Sequence, residues 1–287
     1  MAFKITCESS ADLNADMYKK HNIGVIPFNI TLGDQDFKDS INITNDKLFE
    51  FFDQNKTLPK TSALNSIDYE EFFEKENTED EGLIHIALSS KLSSTCEHAI
   101  EASKKFKNVY VIDSQSLSSG IGLQVLYAVS LRDKGVPIEK AVELIESRRD
   151  KVQISFVVDK LTYLHKGGRC SAVALLGSNL LGIKPSIIVS NGKMVVGKKY
   201  MGKIHKTLDK YIEDTLNEFN TPDNSLCFIT YSSATEEMLK VAKDTLKEKG
   251  KFKKVTETVA GCTVSTHCGP NTLGIIYYND EKPPKVN

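Results

Sequence analysis

Leu83-Ile84-His85-Ile86-Ala87-Leu88 runs apolar and β-branched without a break, stops at Ser89-Ser90, and gives way to a helix-like stretch. A strand so continuously apolar belongs to a sheet covered on both faces, which is the habit of parallel sheets. The same order recurs along the chain. Ile5-Thr6-Cys7 leads into Ser9-Ser10, Val109-Tyr110-Val111-Ile112 into Asp113-Ser114, and Leu226-Cys227-Phe228-Ile229-Thr230-Tyr231 into Ser232-Ser233. Strands alternating with helices build βαβ units, so the chain is read as an α/β protein with mainly parallel sheets.

At 287 residues the chain suits one large or two medium domains. Residues 1–150 carry 17 Lys+Arg against 25 Asp+Glu (net −8), whereas residues 151–287 carry 20 against 13 (net +7). This asymmetry places a boundary near residue 155, giving expected domains 1–158 and 159–287. The acidic run from Asp68 to Glu81 and the lysines from Lys240 to Lys254 are read as solvated helix faces. The tail from Asn279 to Asn287 is polar and expected to fray.

An overall charge of −1 gives no concentrated positive surface, so nucleic acid and anionic membranes are not expected partners. No stretch reaches the ~18 apolar residues of a membrane span, and Met1-Ala2-Phe3-Lys4-Ile5 runs into polar residues without the apolar core of a secretory signal. A cytoplasmic protein follows, at most in transient contact with membrane. The cysteines at 7, 96, 170, 227, 262 and 268 form no CxxC pair and read as reduced core thiols.

Serines at strand ends serve as helix N-caps, which accounts for most of them. The same places sit at the carboxyl edge of a parallel sheet, where free amides attract anions. The five hydroxyls from Ser89 to Thr95 exceed what capping needs, so anion binding and capping are equally open there. Lys60-Thr61-Ser62 adds further hydroxyls. Asp113 to Gly122 lacks the GxGxxG and GxxxxGK[ST] loops, so its glycines are read as close helix–sheet packing. Leu161 to Arg169 is a helix ending in Gly167-Gly168, a left-handed cap; Arg169 either complements the helix dipole or offers its fork to a carboxylate or phosphate. His267, in Thr266-His267-Cys268-Gly269-Pro270, fits no zinc spacing and is either structurally bonded or a donor, neutral or charged, to an oxyanion.

Taken in order, these motifs resemble the DegV family of fatty-acid-binding proteins. Lys4 to Leu13 is similar to the family's opening T-D-S-x-x-D-L, Lys60-Thr61-Ser62 to K-T-S, and Ser89 to Thr95 to S-S-x-L-S-G-T. Val111 to Gly122 resembles V-x-D-S…S-x-G-x-G, Phe156 to Arg169 F-V-V-D-x-L-x-Y-L-x-K-G-G-R, Ile183-Lys184-Pro185 I-K-P, and His267 to Gly274 H-x-G-P-G-x-L-G. The resemblance implies two α/β domains facing each other across a cleft that holds one long-chain fatty acid such as hexadecanoate. By the same implication Thr61, Ser62, Ser93, Ser94 and His267 bind its carboxylate, with no other cofactor and no metal. A separate ATP-dependent fatty acid kinase would phosphorylate it to an acyl phosphate for phospholipid synthesis, the protein itself being non-catalytic, with Arg169, Lys198 and Lys199 as partner or phosphate contacts.

The chain departs from the family pattern at Cys7-Glu8, where Thr-Asp is usual, at Ala63-Leu64-Asn65 for Q-P-S, and at Ser94 and Asn271 for glycines. Tyr200 stands where an arginine is common. Two other readings compete: a Ser/His esterase or thioesterase pairing Ser93 with His267, and a sensor of another amphiphilic acid. GxSxG is absent.

Overall fold

The computed structural model describes residues 3–78, 82–170 and 182–281; the end of the acidic run (79–81) and most of the polar tail (282–287) lie outside the described residues. A first sheet holds β1 (Lys4–Glu8), β2 (Ile23–Ile26), β6 (Leu83–Ala87) and β7 (Val109–Asp113), all parallel, in the order β2-β1-β6-β7. Every residue of β1 and β6 is buried, the reason these strands read as unbroken apolar runs.

The second sheet has six strands: β8 (Val152–Val157), β9 (Ile183–Ser190), β10 (Lys193–Met201), β11 (Cys227–Tyr231), β12 (Val255–Val259) and β13 (Leu273–Tyr278), ordered β10-β9-β8-β13-β11-β12. The α/β class stands, but only the β11–β12 pair here is parallel, so the expectation of mainly parallel sheets is corrected for this one. One physical reason lies in Asn191-Gly192, which joins β9 to β10 with φ of 50° and 78°. Two left-handed residues make a two-residue hairpin, and so short a loop can only reverse the chain. Upstream of the 158/159 boundary, β8 is already a central strand of this second sheet. A third, antiparallel sheet, β4-β3-β5, comprises β3 (Asn29–Leu32), β4 (Gln35–Lys38) and β5 (Lys60–Ser62).

Helix α5 (Ser119–Asp133) is buried at 11 of its 15 residues and packs on β1 and β6 on one side and on β8 and β13 on the other. A helix apolar all round belongs in a core, and this one sits between the two large sheets. Its glycines are the close-packing positions expected: a Cβ on Gly120 would lie 3.3 Å from Ile154, and one on Gly122 2.9 Å from the Ala11 carbonyl. One continuous core therefore runs from Ile5 and Ile84 to Ile154, Phe156 and Ile276. Among the described residues no helix is long and apolar enough to cross a membrane.

The strand-end serines are mostly not caps. Ser9 donates to Asp39, Ser90 to Asp113 and Ser232 to the Gly269 carbonyl, while helix starts are capped by Thr44, Asn65 and Thr235.

Candidate functional site

The β5 strand brings Thr61 and Ser62 beside β3, in register with Ile30 and Asn29. The loop after β6 carries Ser93 and Ser94 to the start of α4 (Thr95–Ser103), where the Ser93 Oγ accepts the Thr95 amide at 3.3 Å. From the C-terminal half come α7 (Thr162–Gly167), closed by Gly168 at φ 69° as expected, and α10 (Cys262–Cys268). These segments meet at one cleft. Thr61, Ser62, Ser93, Ser94, Arg169 and His267 all line it, and it encloses about 770 Å³, part of it open to solvent.

Much of the remaining wall is apolar, built from Phe28, Leu88, Leu92, Leu117, Met194 and Val264, but Ser10 and Thr263 add two more hydroxyls to it. Leu117, Val264 and Cys268 also border an adjoining, smaller void whose wall includes Ile154, Phe156 and Ile276. A cleft rich in hydroxyls thus adjoins, across three shared wall residues, a smaller void whose exposed surface is mostly apolar. Met194 reaches the cleft because the β9–β10 hairpin is tied down by Ser89, whose Oγ donates to the Gly192 carbonyl at 2.8 Å.

His267 bridges the two halves: its Nε2 lies 3.0 Å from Thr61 Oγ1, and its Nδ1 has no hydrogen-bond partner among the described residues. Burial, with the Arg169 guanidinium nearby, brings its pKa down to about 4, so the imidazole is neutral at physiological pH. It can therefore hold Thr61 by a hydrogen bond but offers an anion no full charge. The ring lies against Gly167, where a Cβ would come within 2.5 Å of Nδ1. Arg169 is exposed at the rim and donates to the Gly167 carbonyl at 2.7 Å.

Lys198 and Lys199 sit on β10 outside the cleft lining; Lys198 pairs with Asp214 at 3.3 Å. Tyr200 is buried, with its hydroxyl on Asp214, and serves packing. All six cysteines are buried; desolvation raises the thiols of Cys96, Cys262 and Cys268 to about 12. Phe28 and Met194 are wall residues that the reading of the sequence did not name. For Met194 a signal existed in the Asn191-Gly192 dipeptide, which predicts the hairpin that delivers it.

The model of the DegV family, described as uncharacterised proteins, matches residues 2–280. The DegV domain-containing protein YteA of Lactococcus lactis is 31% identical over 285 residues, covering 96% of this chain and 97% of the relative. A DegV family protein from Thermus thermophilus, whose structure is described by its fatty acid binding, has a TM-score of 0.90 at 23% identity over 97% of this chain and 99% of that one. A hypothetical protein from Thermotoga maritima, described as revealing a fatty-acid-binding function, has a TM-score of 0.81 at 25% identity over 97% and 99%.

Proposed function

The chain belongs to the DegV family, and from that premise we propose that it binds one long-chain fatty acid in this cleft and presents it to a separate ATP-dependent kinase. What supports the reading is the make-up of the space: a cleft lined by Thr61, Ser62, Ser93 and Ser94, beside a smaller void whose exposed surface is mostly apolar. In this reading the carboxylate accepts hydrogen bonds from Thr61, Ser62, Ser93 and Ser94, with His267 holding Thr61. The acyl tail runs past Leu117, Val264 and Cys268. At ~0.8 kcal/mol per buried CH₂, a sixteen-carbon tail gains on the order of 10 kcal/mol, enough for retention after the costs of ordering.

Phosphorylation needs the carboxylate near the protein surface, and the exposure of Ser62, Ser94 and Arg169 supports this. Arg169 would meet the transferring phosphoryl group or the kinase, and Lys198 and Lys199 would extend a basic surface toward it. The geometry does not favour an esterase, because Thr61 rather than a serine occupies the His267 Nε2. Purification without added lipid, followed by denaturation and mass spectrometry, tests the proposal. Near-equimolar release of a fatty acid of about C14–C20 is expected, consistent with the burial argument; an empty cleft or a different class of compound would overturn it.

A further inference from the structure

Behind the hydroxyl loop lies a set of polar side chains that do not line the cleft: Thr6, Glu8, Tyr69, His85 and Thr95, none with any exposure. Glu8 Oε2 accepts the Leu88 amide at 3.0 Å, and Oε1 accepts the Tyr69 hydroxyl at 2.8 Å. Tyr69 has one proton, already given to Glu8, so its 2.7 Å contact with Thr95 Oγ1 must be donated by Thr95. Leu88 is the first residue after β6 and Thr95 the first of α4. One carboxylate therefore fixes both ends of the segment from Leu88 to Thr95, directly at one end and through Tyr69 at the other. That segment carries Ser93 and Ser94.

The carboxylate sits against a buried imidazole. His85 Nδ1 is 2.9 Å from Thr6 Oγ1, its in-register partner on β1, while its Nε2 lies 3.4 Å from Glu8 Oε1 without a hydrogen bond. The rings of Tyr69, Phe72 and Phe73 surround the imidazole at 5.3, 6.3 and 5.4 Å between centroids. In so dry a setting a missing bond is not replaced by water, which makes the network stiff.

We propose that Glu8 and Tyr69 are positioning residues that set the hydroxyl loop for a carboxylate head group, giving the cleft its preference for a fatty acid over an uncharged lipid of equal tail length. The inference rests on the fatty-acid reading above. Thr95, its proton directed inward, is withdrawn from the ligand and acts only as the loop's anchor.

Delipidated wild type, Tyr69→Phe and Thr95→Val, titrated calorimetrically with hexadecanoate and with hexadecan-1-ol, provide the test. Each substitution deletes one buried hydroxyl, so the acid should bind roughly three- to ten-fold more weakly while the alcohol changes by less than about two-fold. A merely structural role would weaken both ligands alike, and that result, or unchanged acid affinity, overturns the proposal. Thr95→Val acts at the far end of the relay and carries the test alone if Tyr69→Phe does not fold. Wild type that binds no hexadecanoate would instead refute the ligand reading and take this inference with it.

Discussion

At His267, burial and the Arg169 charge disfavour the imidazolium and bring the pKa from 6.5 to about 4. The sign of the consequence follows from linkage. Above the unfolded pKa of about 6.5 the residue is neutral in both states; below it the unfolded chain takes up the proton first, so stability is lost as pH falls from 6.5 toward 4. The full span is worth on the order of 3 kcal/mol. Urea unfolding at pH 7 and pH 4.5 should show that His267→Gln loses less stability on acidification than the wild type. Equal losses would mean that the ring is open to solvent. The two glycine departures also resolve at this scale. Asn271 takes φ 55°, a left-handed angle that asparagine tolerates better than most residues, whereas Ser94 lies at φ −74°, where no glycine is required. Local rules suffice for both, since backbone angle is a property of one residue.

Helices α7 and α10 meet through reciprocal glycines. A Cβ on Gly167 would lie 2.5 Å from His267 Nδ1, and one on Gly269, itself at φ 77°, 2.5 Å from Tyr163 Cδ2. Each motif thus supplies the bare backbone against which the other's ring packs. Gly167→Ala should cost roughly 1–3 kcal/mol by overpacking. Because the obstacle is the His267 ring, much of that loss should vanish when the change is made in a His267→Ala background. A double-mutant cycle with no coupling energy would remove the ring from the account. In the sequence, Leu161 to Gly168 was legible as a helix with a left-handed cap, and the hydroxyl motifs were legible as candidates for one site. Which ring each glycine faced was not, because the contacts span about a hundred positions along the chain. Glu8 and Tyr69 were illegible for the same reason: a buried carboxylate and a phenol 61 residues apart look like strand and helix residues until the fold joins them.

Across the whole molecule, the cleft exists because two halves are held at a fixed separation. Helix α5 fills the centre, and at the cleft's side two buried carboxylates of the N-terminal half grip the start of α10. Asp39 accepts the amides of Cys262 at 2.8 Å and Thr263 at 3.3 Å, and Asp12 accepts that of Gly261 at 2.8 Å. Asn45 adds bonds to the Ser232 and Ala260 carbonyls. Three of the four strands of the parallel sheet, β1, β6 and β7, were visible as apolar runs, but a grip made of acid side chains on a distant helix start has no periodicity to betray it. Asp39 also accepts the Ser9 hydroxyl at 2.9 Å, so all its known partners are donors. Replacing one of its acceptor oxygens by an NH₂ group in Asp39→Asn turns one of those contacts donor against donor. The loss should be roughly 1.5–3 kcal/mol, the worth of a charge-assisted bond. Since α10 carries His267, the cost should appear twice: as a lower urea midpoint, and as faster release of the fatty acid proposed above from a cleft whose far wall is no longer held. Lowered stability with an unchanged rate of release would show that Asp39 supports the fold without setting the width of the cleft.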